Sequence, residues 1–242
     1  MSEPIGIIGI GLVGSVIVDR LVESGYEMHG FDPATSSSTK AILCDSAKAV
    51  CEHCTTVILS LPNSTIVDDV LAEVKDVLTG EHVIIDTTTG DPEDAIKHGQ
   101  ILSKSQTSFI EATIAGSSAL LRKREANLFL GGAPIAIESM QPIFDILSER
   151  CVRLGDIGSA SRFKLVFNLI LGLQRAALAE ALHFGEALGF APSDTLNVLR
   201  KSPAASVVME MKGQKMLRAD YDPPQARLSQ HLKDVRLILA EA

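Results

Sequence analysis

The chain has 242 residues, 46% of them apolar and 21% charged, and it contains no tryptophan. That composition excludes a disordered tail, a collagen-like fibre and a small disulfide-stapled module, and the length suits one large or two modest domains. With 30 acidic against 22 basic side chains the formal charge is -8, which gives little attraction for nucleic acid or an anionic membrane, since phosphate binding needs a concentrated basic surface, and leaves only local basic patches open.

The opening Met1-Ser2-Glu3-Pro4 lacks the basic start of a secretory signal, so a cytoplasmic location is expected. Ile5 to Ile8 reads as a strand, Gly14 to Glu23 as a helix and Glu27 to Phe31 as a second strand. Asp45 to Cys54 has helical character, Val57 to Leu61 is strand-like, and Ile66 to Val77 returns to helix. His82 to Ile85 is another strand after the Thr79-Gly80 break, and apolar pieces at Thr107 to Ile110 and Asn127 to Leu130 extend the sheet. Such alternation predicts an α/β domain: a doubly wound, mainly parallel sheet with helices on both faces, since right-handed crossovers cover it from both sides. Cys51-Glu52-His53-Cys54 has the spacing of a metal or redox pair. With only Cys44 and Cys151 besides, no second ligand pair follows, so packing is favoured and no metal is expected.

After Gly158 the pattern changes. Phe163, Phe167, Ile170, Leu173, Ala177, Ala181, Phe184 and Leu188 recur at helical spacing from about Ser161 to Leu188. Within it the run Leu165 to Leu173 is too short and too interrupted for a membrane span. Gly189 ends this helix, Ala191-Pro192-Ser193-Asp194 starts another, Pro203 to Met216 is indecisive, and Gln225 to Ala242 reads as a last helix without a C-cap. The expected division is a sheet domain over residues 1–160 and an all-helical domain over residues 161–242, the latter incomplete at its C-terminal end.

The sharpest motif is Gly9-Ile10-Gly11-Leu12-Val13-Gly14, between the first strand and the first helix. Gly9 permits a tight turn, Gly11 lets the backbone approach a pyrophosphate, and Gly14 lets helix and strand pack closely, as in a Rossmann-type dinucleotide site. The helix N-terminus adds unpaired N–H donors and a favourable dipole. Asp32 directly follows the second strand, where a carboxylate accepts hydrogen bonds from the adenosine ribose hydroxyls. A 2′-phosphate would meet negative charge there, with only Lys40 as a nearby cation, so NAD is favoured over NADP. Leu61 and Pro62 end the third strand and Asp86-Thr87-Thr88-Thr89 follows the fourth, at strand ends that line a ligand crevice. For Thr89 two readings stay open: a hydroxyl at the nicotinamide side, or a turn cap ahead of a helix starting at Asp91-Pro92.

A second constellation starts at Gly155-Asp156-Ile157-Gly158-Ser159-Ala160-Ser161 and opens the helix carrying Lys164 and Asn168, whose i,i+4 spacing puts both side chains on one face. Projected into an interdomain crevice, the ammonium and amide would orient a carboxylate or carbonyl, and Lys164 would serve in proton transfer or alkoxide stabilisation. The alternative is a solvated lysine beside a packing amide.

In order, these segments resemble the β-hydroxyacid dehydrogenase family over almost the whole chain. The glycine turn is similar to the family's GxGxMG signature, with Val13 at its usual methionine. Gly155 to Lys164 resembles the glycine-rich approach to the catalytic lysine, and Asn168 matches the asparagine that follows. Lys233-Asp234-Val235 resembles the family's Lys-Asp-Leu segment, which implies that Lys233 approaches cofactor or substrate. Phe109 to Ser117 resembles the Asp-Ala-Pro-Val-Ser-Gly-Gly region, with Ala115 at the serine that helps hold an acid. Gly116 and Ser117 remain there to contact substrate. The resemblance implies reversible hydride transfer between NAD and a small hydroxy acid or its semialdehyde or keto product, with a homodimer or higher oligomer formed by the helical domain. Ala115 keeps two alternatives open: a related reductase acting on a different carbonyl or imine, and a noncatalytic nicotinamide-binding scaffold or sensor.

Overall fold

The computed structural model describes residues 3–34, 39–222 and 228–242. Met1, Ser2 and the Gln225 to Arg227 start of the expected last helix lie outside the described residues. The strands are β1 (Ile5–Ile8), β2 (Met28–Phe31), β3 (Ile42–Leu43), β4 (Thr56–Leu59), β5 (Val83–Asp86), β6 (Ser108–Ala115), β7 (Asn127–Gly131) and β8 (Arg150–Gly155). Interleaved with them are α1 (Gly14–Glu23), α2 (Ala47–His53), α3 (Ser64–Val74), α4 (Pro92–Ser103), α5 (Ser118–Arg122), α6 (Pro134–Ser139) and α7 (Gln141–Leu147). The remainder is helical: α8 (Ser159–Ala187), α9 (Pro192–Arg200), α10 (Val207–Arg218) and α11 (Leu228–Glu241).

Among the described residues the strands form one sheet in the order β3-β2-β1-β4-β5-β6-β7-β8. Every neighbouring pair is parallel except β6 with β7. All four residues of β1 are buried, as a central strand covered on both faces requires. Val16, Ile17 and Leu21 of α1 join Leu121, Ile137 and Phe144 of the later short helices in one core cluster. A second cluster gathers Val50, Cys51, Val67, Leu71 and Leu102 from α2, α3 and α4. Ser46, Asn63 and Asp91 cap α2, α3 and α4 through their side chains, which explains why those helices start after polar residues.

The differences from the sequence reading have physical causes. β3 is only two residues long, the exposed Ile42 and Leu43, too short to set a period, and β8 is an edge strand whose apolar pattern is broken by Arg150 and Arg153. β6 runs five residues past the expected Ile110 because Glu111 and Thr113, polar residues that interrupt the apolar pattern, are themselves buried in it.

The chain divides into two compact units, Met1–Lys164 and Leu165–Ala242. This lies four residues beyond the expected boundary, because the first turn of α8 is hydrogen-bonded to β6. In the second unit Leu178, Leu182 and Leu196 form a small core, with Leu199, Met209, Met216 and Leu217 against it. The apolar stripe expected to line α8 faces outward: Ile170 is 49% exposed, Leu173 57% and Phe184 66%. Its buried positions include Lys164 and Asn168 instead. Gly172 does not interrupt the helix, and the His231 ring lies against it. By length and composition alone α8 is apolar enough to cross a bilayer, a correction to the reading taken from Leu165 to Leu173.

Candidate cofactor and reaction site

The three glycines after β1 are glycine for two different reasons. Gly9 has φ 95°, and a Cβ there would collide with the Ser60 carbonyl; one on Gly14 would collide with the Gly9 carbonyl. These two are demanded by the chain's own packing. A Cβ on Gly11 would meet nothing within 4 Å, so nothing in the described protein requires glycine there, and the space it leaves suits the close approach of a phosphate. Ile10 is buried, Leu12 exposed and Val13 half-buried. Val13 stands at the N-cap of α1 without a side-chain cap, and the first turn carries no acidic residue, so the helix end is open to an anion. A dinucleotide's pyrophosphate fits this arrangement.

Asp32 follows β2 and braces the loop. Its Oδ2 accepts from the Ile10 N–H at 2.7 Å and its Oδ1 from the Ala34 N–H at 2.8 Å. Each carboxylate oxygen has lone-pair capacity beyond one bond, which leaves room for ribose hydroxyls. Lys40 is tied to α1, with its ammonium 3.3 Å from Asp19 and 3.0 Å from Glu23.

The strand order brings the loops after β1, β4, β5 and β6 side by side on one edge of the sheet. Leu61 is half-buried and Pro62 exposed; the Leu61 N–H donates to Thr88 Oγ1 at 3.3 Å. Thr87 Oγ1 donates to the Leu59 carbonyl at 2.7 Å, and the Thr88 N–H to Asp86 Oδ1 at 2.9 Å. Asp91 caps α4, accepting from the Glu93 N–H at 2.9 Å, so the helix-capping task falls to Asp91 and Thr89 stands half-buried two residues before it. Burial raises the Asp86 carboxyl from 3.8 to about 6 against the pull of its Thr88 hydrogen bonds.

Lys164 is only 6% exposed, and its ammonium donates to the Ile114 carbonyl at 2.6 Å. That bond anchors it at the far end of β6, beside buried Ala115 and exposed Gly116. A Cβ on Gly116 would sit 2.9 Å from that of Ala126, so the backbone passes close to its neighbour there. Ser117 is the N-cap of α5, its Oγ accepting from the Leu120 N–H at 3.3 Å. In the helical unit Asn168 Nδ2 donates to Asp234 Oδ2 at 2.9 Å, while Lys233 Nζ lies 3.3 Å from Asp234 Oδ1. Sequence reasoning fixed on Lys233 and missed Asp234, although it stands in the same three-residue segment. It also missed Glu111, whose signal was a lone carboxylate inside an apolar strand.

Cys51 and Cys54 are both buried, and burial pushes each thiol up to about 12. At neutral pH neither is a thiolate in meaningful fraction, which weakens the redox reading of that pair.

A family model described as the NAD binding domain of 6-phosphogluconate dehydrogenase matches residues 4–155. One described as NAD-binding of NADP-dependent 3-hydroxyisobutyrate dehydrogenase matches residues 158–242. The chain is 27% identical to 2-(hydroxymethyl)glutarate dehydrogenase of Eubacterium barkeri, over 98% of this chain and 82% of that one. It is 25% identical to glyoxylate/succinic semialdehyde reductase 1 of Arabidopsis thaliana, over 98% of this chain and 84% of that one. Its fold superposes on the 3-hydroxyisobutyrate dehydrogenase of Mycobacterium tuberculosis with a TM-score of 0.89 at 20% identity, covering 100% of this chain and 87% of that one.

Proposed function

Because the chain belongs to the β-hydroxyacid dehydrogenase family, we propose that it is an NAD(P)-dependent oxidoreductase acting between a small hydroxy acid and its semialdehyde or keto form. The observation that carries this reading is the buried Lys164 ammonium, held by the Ile114 carbonyl at the sheet edge where the glycine loop also opens. Gly9 to Gly14 and the N-terminus of α1 would hold the pyrophosphate, and Asp32 the adenosine ribose. Leu61, Pro62 and Thr89 belong to the nicotinamide side of the same edge. When bound, the nicotinamide supplies or accepts the hydride.

In this reading Lys164 donates to the substrate oxygen, stabilising negative charge as a carbonyl becomes an alkoxide, and passes it a proton. Asn168 orients the substrate's polar group, Gly116 offers its backbone, and Ser117 its hydroxyl hydrogen while its oxygen remains the α5 cap. Lys233 adds positive charge for an acid or cofactor. The Ala115 methyl gives no hydrogen bond, so the acid is held by fewer donors than a serine there would allow. Asp32 and the engagement of Lys40 with α1 favour NAD over NADP. Copies of the chain associate through the helical unit, whose Val166, Ile170 and Leu173 are exposed on one side of α8.

A panel of small hydroxy acids and semialdehydes, followed by the absorbance of reduced nicotinamide, tests this. Turnover of at least one acid is expected, with Lys164→Ala lowering it by about a hundredfold or more. Turnover of imines alone would replace it with a different reductase. Cofactor binding without turnover of any compound would leave a noncatalytic scaffold.

A further inference from the structure

Glu111 is the most heavily bonded carboxylate in the described sheet unit that the proposed reaction does not use. It is 1% exposed and lies on β6 opposite Asp86 of β5. Its side-chain oxygens accept from the backbone N–H of Gly158, from the backbone N–H of Ser161 at 3.1 Å and from the Ser161 hydroxyl. Those donors stand at the start of α8, Gly158 directly before it and Ser161 in its first turn, where N–H groups have no partner within the helix. β7 makes room for the carboxylate with Gly131, whose Cβ would stand 2.6 Å from Glu111 Oε2.

Two further bonds continue the attachment in the same direction. Thr113 Oγ1 donates to the Ala160 carbonyl at 3.4 Å, and the Ile114 carbonyl accepts from Lys164 Nζ at 2.6 Å. Residues 111, 113 and 114 of one strand therefore hold the helix start in sequence, and Lys164 is the last point held. A buried carboxylate is an expensive way to fill a sheet interior, and burial pushes Glu111 above the usual carboxylate range. Packing alone would be served by an apolar side chain. What the carboxylate adds is a fixed register between strand and helix.

We propose that Glu111 is a positioning residue for the reaction: by holding the first turn of α8 on β6, it sets where the Lys164 ammonium stands. This rests on the role proposed for Lys164. Glu111→Gln keeps the size but turns one acceptor into a donor facing N–H groups, and Ser161→Ala removes one donor while leaving the carboxylate. Each is made in the wild-type chain and in Lys164→Ala, and kcat and the KM for cofactor are measured. In the wild-type background kcat falls about tenfold with Glu111→Gln and less with Ser161→Ala, while the cofactor KM stays within about twofold. In the Lys164→Ala background neither lowers the residual turnover further, because the group they position is gone. Equal losses in both backgrounds, or an unchanged kcat in a folded Glu111→Gln protein, overturn the proposal; should that variant not fold, Ser161→Ala is read by the same criteria.

If the wild type turns over no substrate, or Lys164→Ala retains no measurable turnover, acetylation of lysine amines read by mass spectrometry decides. Lys164 is protected in the wild type and becomes modified in Ser161→Ala and Glu111→Gln while Lys48, Lys75 and Lys97 react as before. Unchanged protection of Lys164 overturns the proposal independently of whether the chain is a dehydrogenase.

Discussion

Asp86 ends β5 beneath the threonine turn, with its carboxyl pKa raised from 3.8 to about 6 chiefly by burial and further by the nearby Glu111 charge. Each pH unit between those values is worth about 1.4 kcal/mol, so ionising Asp86 in the folded chain costs up to about 3 kcal/mol at neutral pH. Since the folded-state pKa is the higher one, that cost is absent below about pH 4, grows as the pH rises and is complete above about pH 6. Asp86→Asn keeps an oxygen for the Thr88 N–H, 2.9 Å away, and removes the charge. The variant is expected to exceed the wild type in stability by up to about 3 kcal/mol at pH 7.5, with the difference vanishing near pH 4. Urea unfolding followed by tyrosine fluorescence measures it, because Tyr26 packs against the sheet core while Tyr221 is 60% exposed already. A difference that is the same at both pH values, or a variant less stable at neutral pH, would refute the electrostatic account of this site.

The glycine loop gives a paired prediction. Gly11→Ala is expected to weaken cofactor binding in calorimetry about tenfold or more with Tm unchanged, whereas Gly14→Ala lowers Tm because its methyl would meet the Gly9 carbonyl. A Gly11 variant that loses Tm but binds normally would reverse the assignment. Sedimentation is expected to report at least a dimer, and Leu173→Glu, at a site 57% exposed, to shift it to monomer with Tm preserved; a monomeric wild type would remove the association.

Much of the fold was legible because its signals are local. β1 and α1 begin and end where the apolar pattern and the glycines put them, since a central parallel strand and the helix packed directly after its tight glycine turn leave little freedom. Short and edge elements were not legible: β8 pairs with β7 through its backbone while presenting arginines to solvent, and backbone pairing leaves no trace in side-chain periodicity. At the site, the motif residues could be named one at a time, but their partners are long-range. Ile114 receives Lys164 across fifty residues of chain, and Asp234 receives Asn168 across sixty-six. A carbonyl carries no sequence signature, so no reading of residue types could have chosen Ile114.

The clearest failure of periodicity is also the most informative. Apolar spacing along α8 places Ile170, Leu173 and Phe184 toward a core, yet those side chains are outward and Lys164 and Asn168 are buried. Each large apolar side chain left in water forgoes about 1.5–3 kcal/mol, and each buried polar group adds a desolvation cost that only a hydrogen bond offsets. Leu165, Leu178 and Leu182 of the same helix are buried, but these two costs run against stability, so burial energy within this chain explains only part of the orientation of the helix. It becomes intelligible if the buried face is reserved for the ammonium and amide, each already matched to a specific acceptor, and the apolar face is covered by another copy. On that argument a single rotation of α8 about its axis answers to two separate demands, and a variant that restores conventional amphipathicity by exchanging Lys164 for leucine should gain stability while losing turnover.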